Sequence, residues 1–147
     1  MARNLMRAGH CVAVWSHTAR KARELAEGEN GVFCRTPREV AEFAQCAFLC
    51  VGDTAMSEQV ILGADGLIEG ARSGKVIVDT STVSVASSRK MAQELAAKGV
   101  HFLDAPCTGS KPGAENGTLT FMIGGDKEVF ERARPYFEAM GKQFYYC

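Results

Sequence analysis

Residues 76–103, V-I-V-D-T-S-T-V-S-V-A-S-S-R-K-M-A-Q-E-L-A-A-K-G-V-H-F-L, decide how this chain folds. Val76 to Val78 is a run of β-branched and apolar residues, the composition of a strand buried on both faces. It ends in Asp79-Thr80-Ser81-Thr82, and Ser84 then stands where a helix N-cap belongs. The helix extends to Lys98, and Gly99 stops it. Phe102 and Leu103 begin another strand. Strand, helix and strand in that order form a βαβ unit, whose two strands run parallel.

The same alternation continues on both sides. Cys46 to Val51 is a continuous apolar run of buried-strand length, followed by Gly52-Asp53 and a helical segment from Thr54 to Leu62. Before it, Thr36-Pro37-Arg38-Glu39 reads as a capping box with Pro at the first helical position, and Val32 and Phe33 suggest a short strand. Cys11 to Trp15 reads as a strand, Ala19 to Glu27 as a helix with Thr18 at its N-cap, and residues 2–8 as the end of a helix stopped by Gly9. Downstream come a strand from Leu119 to Ile123, a helix capped by Asp126 that runs from Lys127 toward Gly141, and a strand from Gln143 to Cys147. The pattern predicts an α/β fold, doubly wound around a mainly parallel sheet. No repeat or low-complexity linker interrupts it, so residues 1–147 read as one domain.

Composition narrows the class of partner. Seventeen basic and seventeen acidic residues cancel over 147 positions, and no Lys/Arg cluster offers a footprint for nucleic acid or an acidic membrane. A small molecule is the expected partner. Apolar runs are far shorter than a membrane span, and M-A-R-N-L-M-R lacks the apolar centre of a signal peptide, so a soluble, cytoplasmic protein is expected. The six cysteines form no C-x-x-C pair and the three histidines are scattered, which predicts no metal site. Cys11, Cys46 and Cys50 fall in apolar runs and are expected as buried small hydrophobes. Cys107 alone lies in a loop suited to ligand contact.

Doubly wound sheets bind ligands beyond the carboxyl ends of their strands. Four polar loops qualify: Ser16 to Thr18, Val51 to Thr54, Asp79 to Thr82, and Pro106 to Gly117. The last lies in D-A-P-C-T-G-S-K-P-G-A-E-N-G-T-L-T-F-M-I-G-G, residues 104–125. Gly109, Gly113 and Gly117 let the main chain approach a ligand, and Thr108, Ser110, Lys111 and Asn116 add donors for a small carboxylate. On spacing alone, a plain glycine-bearing connection between strands fits equally well.

Taken together, V-W-S-H-T, D-T-S-T-V and the 104–125 segment resemble the N-terminal Rossmann domain of the β-hydroxyacid dehydrogenase family. This family includes 3-hydroxyisobutyrate dehydrogenase, tartronate semialdehyde reductase and the glyoxylate/succinic semialdehyde reductases, and the domain is akin to the NADP-binding domain of 6-phosphogluconate dehydrogenase. The resemblance implies hydride transfer between a nicotinamide and a small aldehyde acid or β-hydroxy acid. It implies that Thr108, Gly109, Ser110 and Lys111 hold the substrate carboxylate, with T-G-S-K closer to the glyoxylate/succinic semialdehyde branch. It also implies that Thr82 lies beside the nicotinamide and that Cys50 and Val51 line the cofactor's path. Ser16, His17 and Thr18 stand where NAD enzymes usually carry an acidic residue for the ribose hydroxyl. NADP is therefore expected, with NAD possible, although relatives often have Arg where this chain has His17.

Two family features find no counterpart in the 147 residues. One is the first strand with its G-x-G-x-x-G pyrophosphate loop; the other is a general acid/base lysine, which the family carries on a following helical domain. The expectation is an incomplete Rossmann domain, with no catalytic residue of its own and little activity alone, belonging to a longer homo-oligomeric enzyme. A non-catalytic nucleotide-binding or oligomerisation module is the alternative.

Overall fold

The computed structural model describes residues 1–28 and 30–147. In chain order the elements are α1 (Ala2–Arg7), β1 (Val12–Val14), α2 (Ala19–Ala26), β2 (Gly31–Phe33), α3 (Pro37–Phe43) and β3 (Cys46–Leu49). There follow α4 (Thr54–Leu62), α5 (Leu67–Gly70), β4 (Val76–Asp79), α6 (Val85–Ala96) and β5 (His101–Asp104). The chain continues with β6 (Cys107–Thr108), α7 (Ser110–Asn116), β7 (Leu119–Gly125), α8 (Lys127–Met140) and β8 (Gly141–Tyr146).

The predicted βαβ unit is present, with β4 and β5 parallel and Val76 abreast of His101. β3 joins β4 in parallel, and β7 extends the sheet by pairing antiparallel with β5 and β6 and parallel with β8. The sheet is thus mixed, with parallel pairings in the majority. Strand alternation explains why β3 and β4 needed apolar residues throughout. Cys46, Phe48, Val76 and Val78 face a core built with β7 and α8. Ala47, Leu49 and Ile77 face a second core, under Val60 and Ile61 of α4 and Met91 and Leu95 of α6.

β1 and β2 form a separate parallel pair. A cavity of about 560 Å³ lies between β1 and β3, lined on one side by Val12, Ala13 and Val14 and on the other by Cys46 to Leu49. Among the described residues neither strand has a partner across it.

Some local expectations need correction. Thr18 occupies the N-cap position of α2, but its side chain accepts no helix hydrogen bond. Its own amide donates to Ser16 Oγ at 3.2 Å, so the turn is closed by Ser16. In the α3 box, Thr36 Oγ1 accepts the Glu39 amide as expected, whereas Glu39 Oε2 accepts from the Arg35 amide rather than reaching back to Thr36. Cys11 and Cys50 are exposed, because each lies just outside its strand, Cys11 before β1 and Cys50 after β3. Lys75, which the sequence did not single out, is buried with its ammonium donating to the Ala41 and Glu42 carbonyls at the end of α3. It satisfies carbonyls that the helix itself leaves open.

Candidate functional site

The register of β3, β4 and β5 sets Leu49, Asp79 and Asp104 abreast, so the loops that follow emerge at one edge of the sheet. Short bonds then fasten two of these loops together. Thr80 donates to the Leu49 carbonyl through both its amide, at 2.9 Å, and its hydroxyl, at 2.7 Å. Ser81 Oγ accepts the Val51 amide at 2.9 Å, while Asp79 Oδ1 accepts the Ser81 amide at 2.8 Å. Further out, the Ser84 amide donates to Thr54 Oγ1 at 3.1 Å. Asp79, Thr80 and Ser81 are buried and serve as these fasteners; only Thr82 of the D-T-S-T run is exposed.

The sequence points to this polar run without separating the roles within it. Burial is what divides them. Asp79 Oδ2 is buried with no hydrogen-bond partner among the described residues. The neighbouring Asp104 accepts a hydrogen bond from Ser88 Oγ at 3.0 Å. Burial raises the Asp104 carboxyl above its ordinary 3.8; the Ser88 bond opposes this and nearby Asp79 adds to it. A raised carboxyl pKa means that folding favours the protonated form, so this contribution to stability is full below pH 3.8 and lost as pH climbs from there toward the folded value. Asp104→Asn, which retains an acceptor for Ser88, is therefore expected to match the parent at pH 3 and exceed it in stability at pH 7. Urea unfolding at both values checks this; a variant weaker at pH 7 contradicts it.

Across the cavity, Ser16 and His17 line the same space as Cys50 and Val51. The His17 ring meets Trp15 edge-on with centroids 4.7 Å apart. Thr18 and Thr82 are exposed outside this lining. The end of β1, at Ser16 to Thr18, presents no carboxylate.

The 106–117 segment is more ordered than a loop. Cys107 and Thr108 form β6 against β7, and Ser110 to Asn116 form α7. Gly109 (φ +131°) and Ser110 (φ +55°) make the sharp turn between them, and a Cβ on Gly109 would lie 3.1 Å from Leu119 Cδ2. Gly113 is buried in α7 against Leu119, and Gly117 caps that helix in the left-handed conformation, so both serve packing and capping rather than ligand approach. Thr108, Gly109, Ser110 and Lys111 form a contiguous exposed surface; Lys111 Nζ lies 3.7 Å from Glu115 of its own helix. These four residues do not line the β1/β3 cavity. Among the described residues no group of three or more His, Cys, Asp or Glu side chains could hold a metal ion, and no helix is long and apolar enough to cross a membrane.

The parallel strands, crossover helices and polar carboxyl edge define a dinucleotide-binding type of α/β domain. The whole chain, residues 1–147, matches the family described as the NAD binding domain of 6-phosphogluconate dehydrogenase, and it belongs to that domain class within the β-hydroxyacid dehydrogenases. It is 40% identical over 146 residues to glyoxylate/succinic semialdehyde reductase 2, chloroplastic, of Arabidopsis thaliana, covering 99% of this chain and 40% of the relative. The 3-hydroxyisobutyrate dehydrogenase of Mycobacterium tuberculosis, solved with L-serine, superposes with a TM-score of 0.89 at 29% identity over 99% of this chain and 49% of that one. Cytokine-like nuclear factor N-PAC of Homo sapiens is 36% identical over 143 residues, covering 97% of this chain and 26% of the relative. The chain thus spans half or less of the length of these relatives.

Proposed function

We propose that this domain belongs to an NADP(H)-dependent oxidoreductase that moves hydride between the nicotinamide and a small aldehyde acid or β-hydroxy acid. The observation that carries the reading is the cavity at the carboxyl edge, with Ser16 and His17 on one wall and Cys50 and Val51 on the other. Bound there, the nicotinamide cofactor supplies the hydride. The Ser16, His17 and Thr18 turn takes the ribose end, and Thr82 stands beside the nicotinamide. The Ser81 and Thr80 bonds hold the Cys50–Val51 main chain rigid, so that its contacts with the cofactor carry little ordering cost.

Thr108, Gly109, Ser110 and Lys111 receive the substrate carboxylate, by main-chain amides and hydroxyls at the turn and by the lysine charge at its rim. The proton that accompanies hydride is handled by a lysine that the family carries on its helical domain, and the working enzyme is a homo-oligomer. Glyoxylate and succinic semialdehyde are the first substrates to test, since T-G-S-K favours that branch. The discriminating substitution is Ser16→Asp in a polypeptide that holds the complete nucleotide site. A carboxylate there repels a 2′-phosphate, so NADPH affinity should fall at least about tenfold relative to NADH. An unchanged ratio would show that this turn does not read the ribose.

A non-catalytic nucleotide-binding module is a second reading, favoured by the 36% identity to a nuclear factor. It predicts NADPH binding without consumption of the cofactor in the presence of any short acid.

A further inference from the structure

The Thr108–Lys111 turn does not line the β1/β3 cavity, yet one helix touches both regions. Ala2 and Leu5 of α1 line the cavity, while Asn4 of the same helix reaches α7. Asn is a poor residue for a helix interior, and this one is only 9% exposed. A buried amide persists where its hydrogen bonds are made. Asn4 Nδ2 donates to the Ala114 carbonyl at 3.0 Å, and Arg7 Nη1 donates to Asn4 Oδ1 at 3.5 Å, which orients the amide. The Met1 nitrogen donates to the same carbonyl at 3.0 Å.

Helix α7 needs this support. It has seven residues, Pro112 and Gly113 among them; no side chain caps its start, and no basic residue stands in its last turn. Ala114 belongs to the last four residues, whose carbonyls find no partner within a helix. Asn4 supplies that partner from another element. Gly117 closes α7 in the left-handed conformation (φ +67°), and a Cβ there would lie 3.3 Å from Asn4 Nδ2 and 3.2 Å from the Ala139 carbonyl oxygen. The end of α7 is thus shaped around the Asn4 amide. At its start, the Gly113 amide donates to the Gly109 carbonyl at 2.9 Å, so a shift of α7 passes directly into the Gly109–Ser110 turn.

We propose that Asn4 is a positioning residue, which ties α7 to α1 and so fixes the Gly109–Lys111 turn relative to the nucleotide cavity. That this turn receives the substrate carboxylate is the reading given under the proposed function, and the kinetic effect of Asn4 rests on it. The tie between the helices rests on the hydrogen bonds alone. Asn suits the position because its amide donates to a carbonyl while accepting from Arg7. Asp has the same shape but no donor, and Ala has neither donor nor acceptor.

Hydrogen exchange in the 147-residue chain tests the tie. In the parent, the Asn4 side-chain NH2 protons should exchange together with the Gly117 and Thr118 amides, because one opening of α7 frees all of them. Asn4→Ala and Asn4→Asp should each speed exchange at Gly113, Gly117 and Thr118 at least about fivefold, while Ser88 and Ala97 keep their parent rates. In the longest natural polypeptide containing these residues, both variants should raise the KM for a short aldehyde acid at least about fivefold and leave the Kd for NADPH within about twofold. Freely exchanging Asn4 NH2 protons in the parent would overturn the proposal, as would parent exchange rates at α7 in either variant. Faster exchange with an unchanged KM would overturn the part of Asn4 in placing substrate. A parent polypeptide without turnover would instead strike the hydride-transfer reading, and the exchange rates would still decide the tie.

Discussion

Phe137→Ala should cost the domain about 3–5 kcal/mol, a large part of the ~5–15 kcal/mol that holds a typical domain folded. Phe137 is 0% exposed at the centre of the core between the sheet and α8. Its ring meets Phe48 of β3 at 5.2 Å, Phe121 of β7 at 5.0 Å, Phe130 of its own helix at 5.6 Å and Phe144 of β8 at 6.4 Å. Removing it opens a cavity under three strands at once and forfeits edge-to-face contacts worth more than their area. The urea midpoint measures the loss. Phe43→Ala, at a residue 48% exposed, should change the midpoint little. A Phe137→Ala midpoint close to the parent's would show that this core is not the mechanical centre of the domain.

Residues 1–147 assayed alone should oxidise NADPH at least about a thousandfold more slowly than a polypeptide that also carries the glycine-rich loop and the helical-domain lysine. General acid–base catalysis alone contributes about 10²- to 10⁴-fold, and a pyrophosphate held by loop amides adds positioning to that. The chain supplies the walls of a pocket; in the proposed mechanism the proton carrier comes from elsewhere. Fusing an apolar strand and G-x-G-x-x-G loop ahead of Met1 tests the other half. Among the described residues β1 and β3 have no partner across the cavity between them, so an added strand can pair with both and NADPH binding should strengthen even without turnover. Appreciable turnover by the 147 residues alone would contradict the proposed division of labour.

What could be read from the sequence followed element strength. Cys46 to Leu49 and Val76 to Asp79 were readable because strands buried on both faces tolerate no polar residue until their ends. Ser84 and Asp126 were readable as N-caps because their side chains do accept the first helical amides; Asp53 caps α4 in the same way without having been singled out. The short pieces were not readable. α5 has four residues and β6 two, too few to show a period, and they form because neighbouring elements hold them. α7 lies in a segment whose Pro and Gly argue for a loop; it forms with Gly113 packed on Leu119 and Gly117 closing its end.

The candidate site divides the same way. The absence of an acidic residue at Ser16 to Thr18 and the hydroxyl-rich D-T-S-T run are visible as composition. That Ser81 holds the Val51 amide while Thr82 stays exposed is a consequence of register, which only the folded sheet fixes. An apolar run that ends at Cys50 suggests a buried thiol; the strand stops at Leu49, and one residue decides the exposure.

The central claim is an NADP(H)-dependent oxidoreductase of small acids, and nicotinamide consumption tests it most directly. The longest natural polypeptide containing these residues should be assayed with NADPH and NADH against glyoxylate, succinic semialdehyde, short 2-oxo acids and, in the reverse direction, β-hydroxy acids. The account predicts oxidation of NADPH, faster than of NADH, with a short aldehyde acid. Tight NADPH binding with no turnover of any of these acids would contradict it.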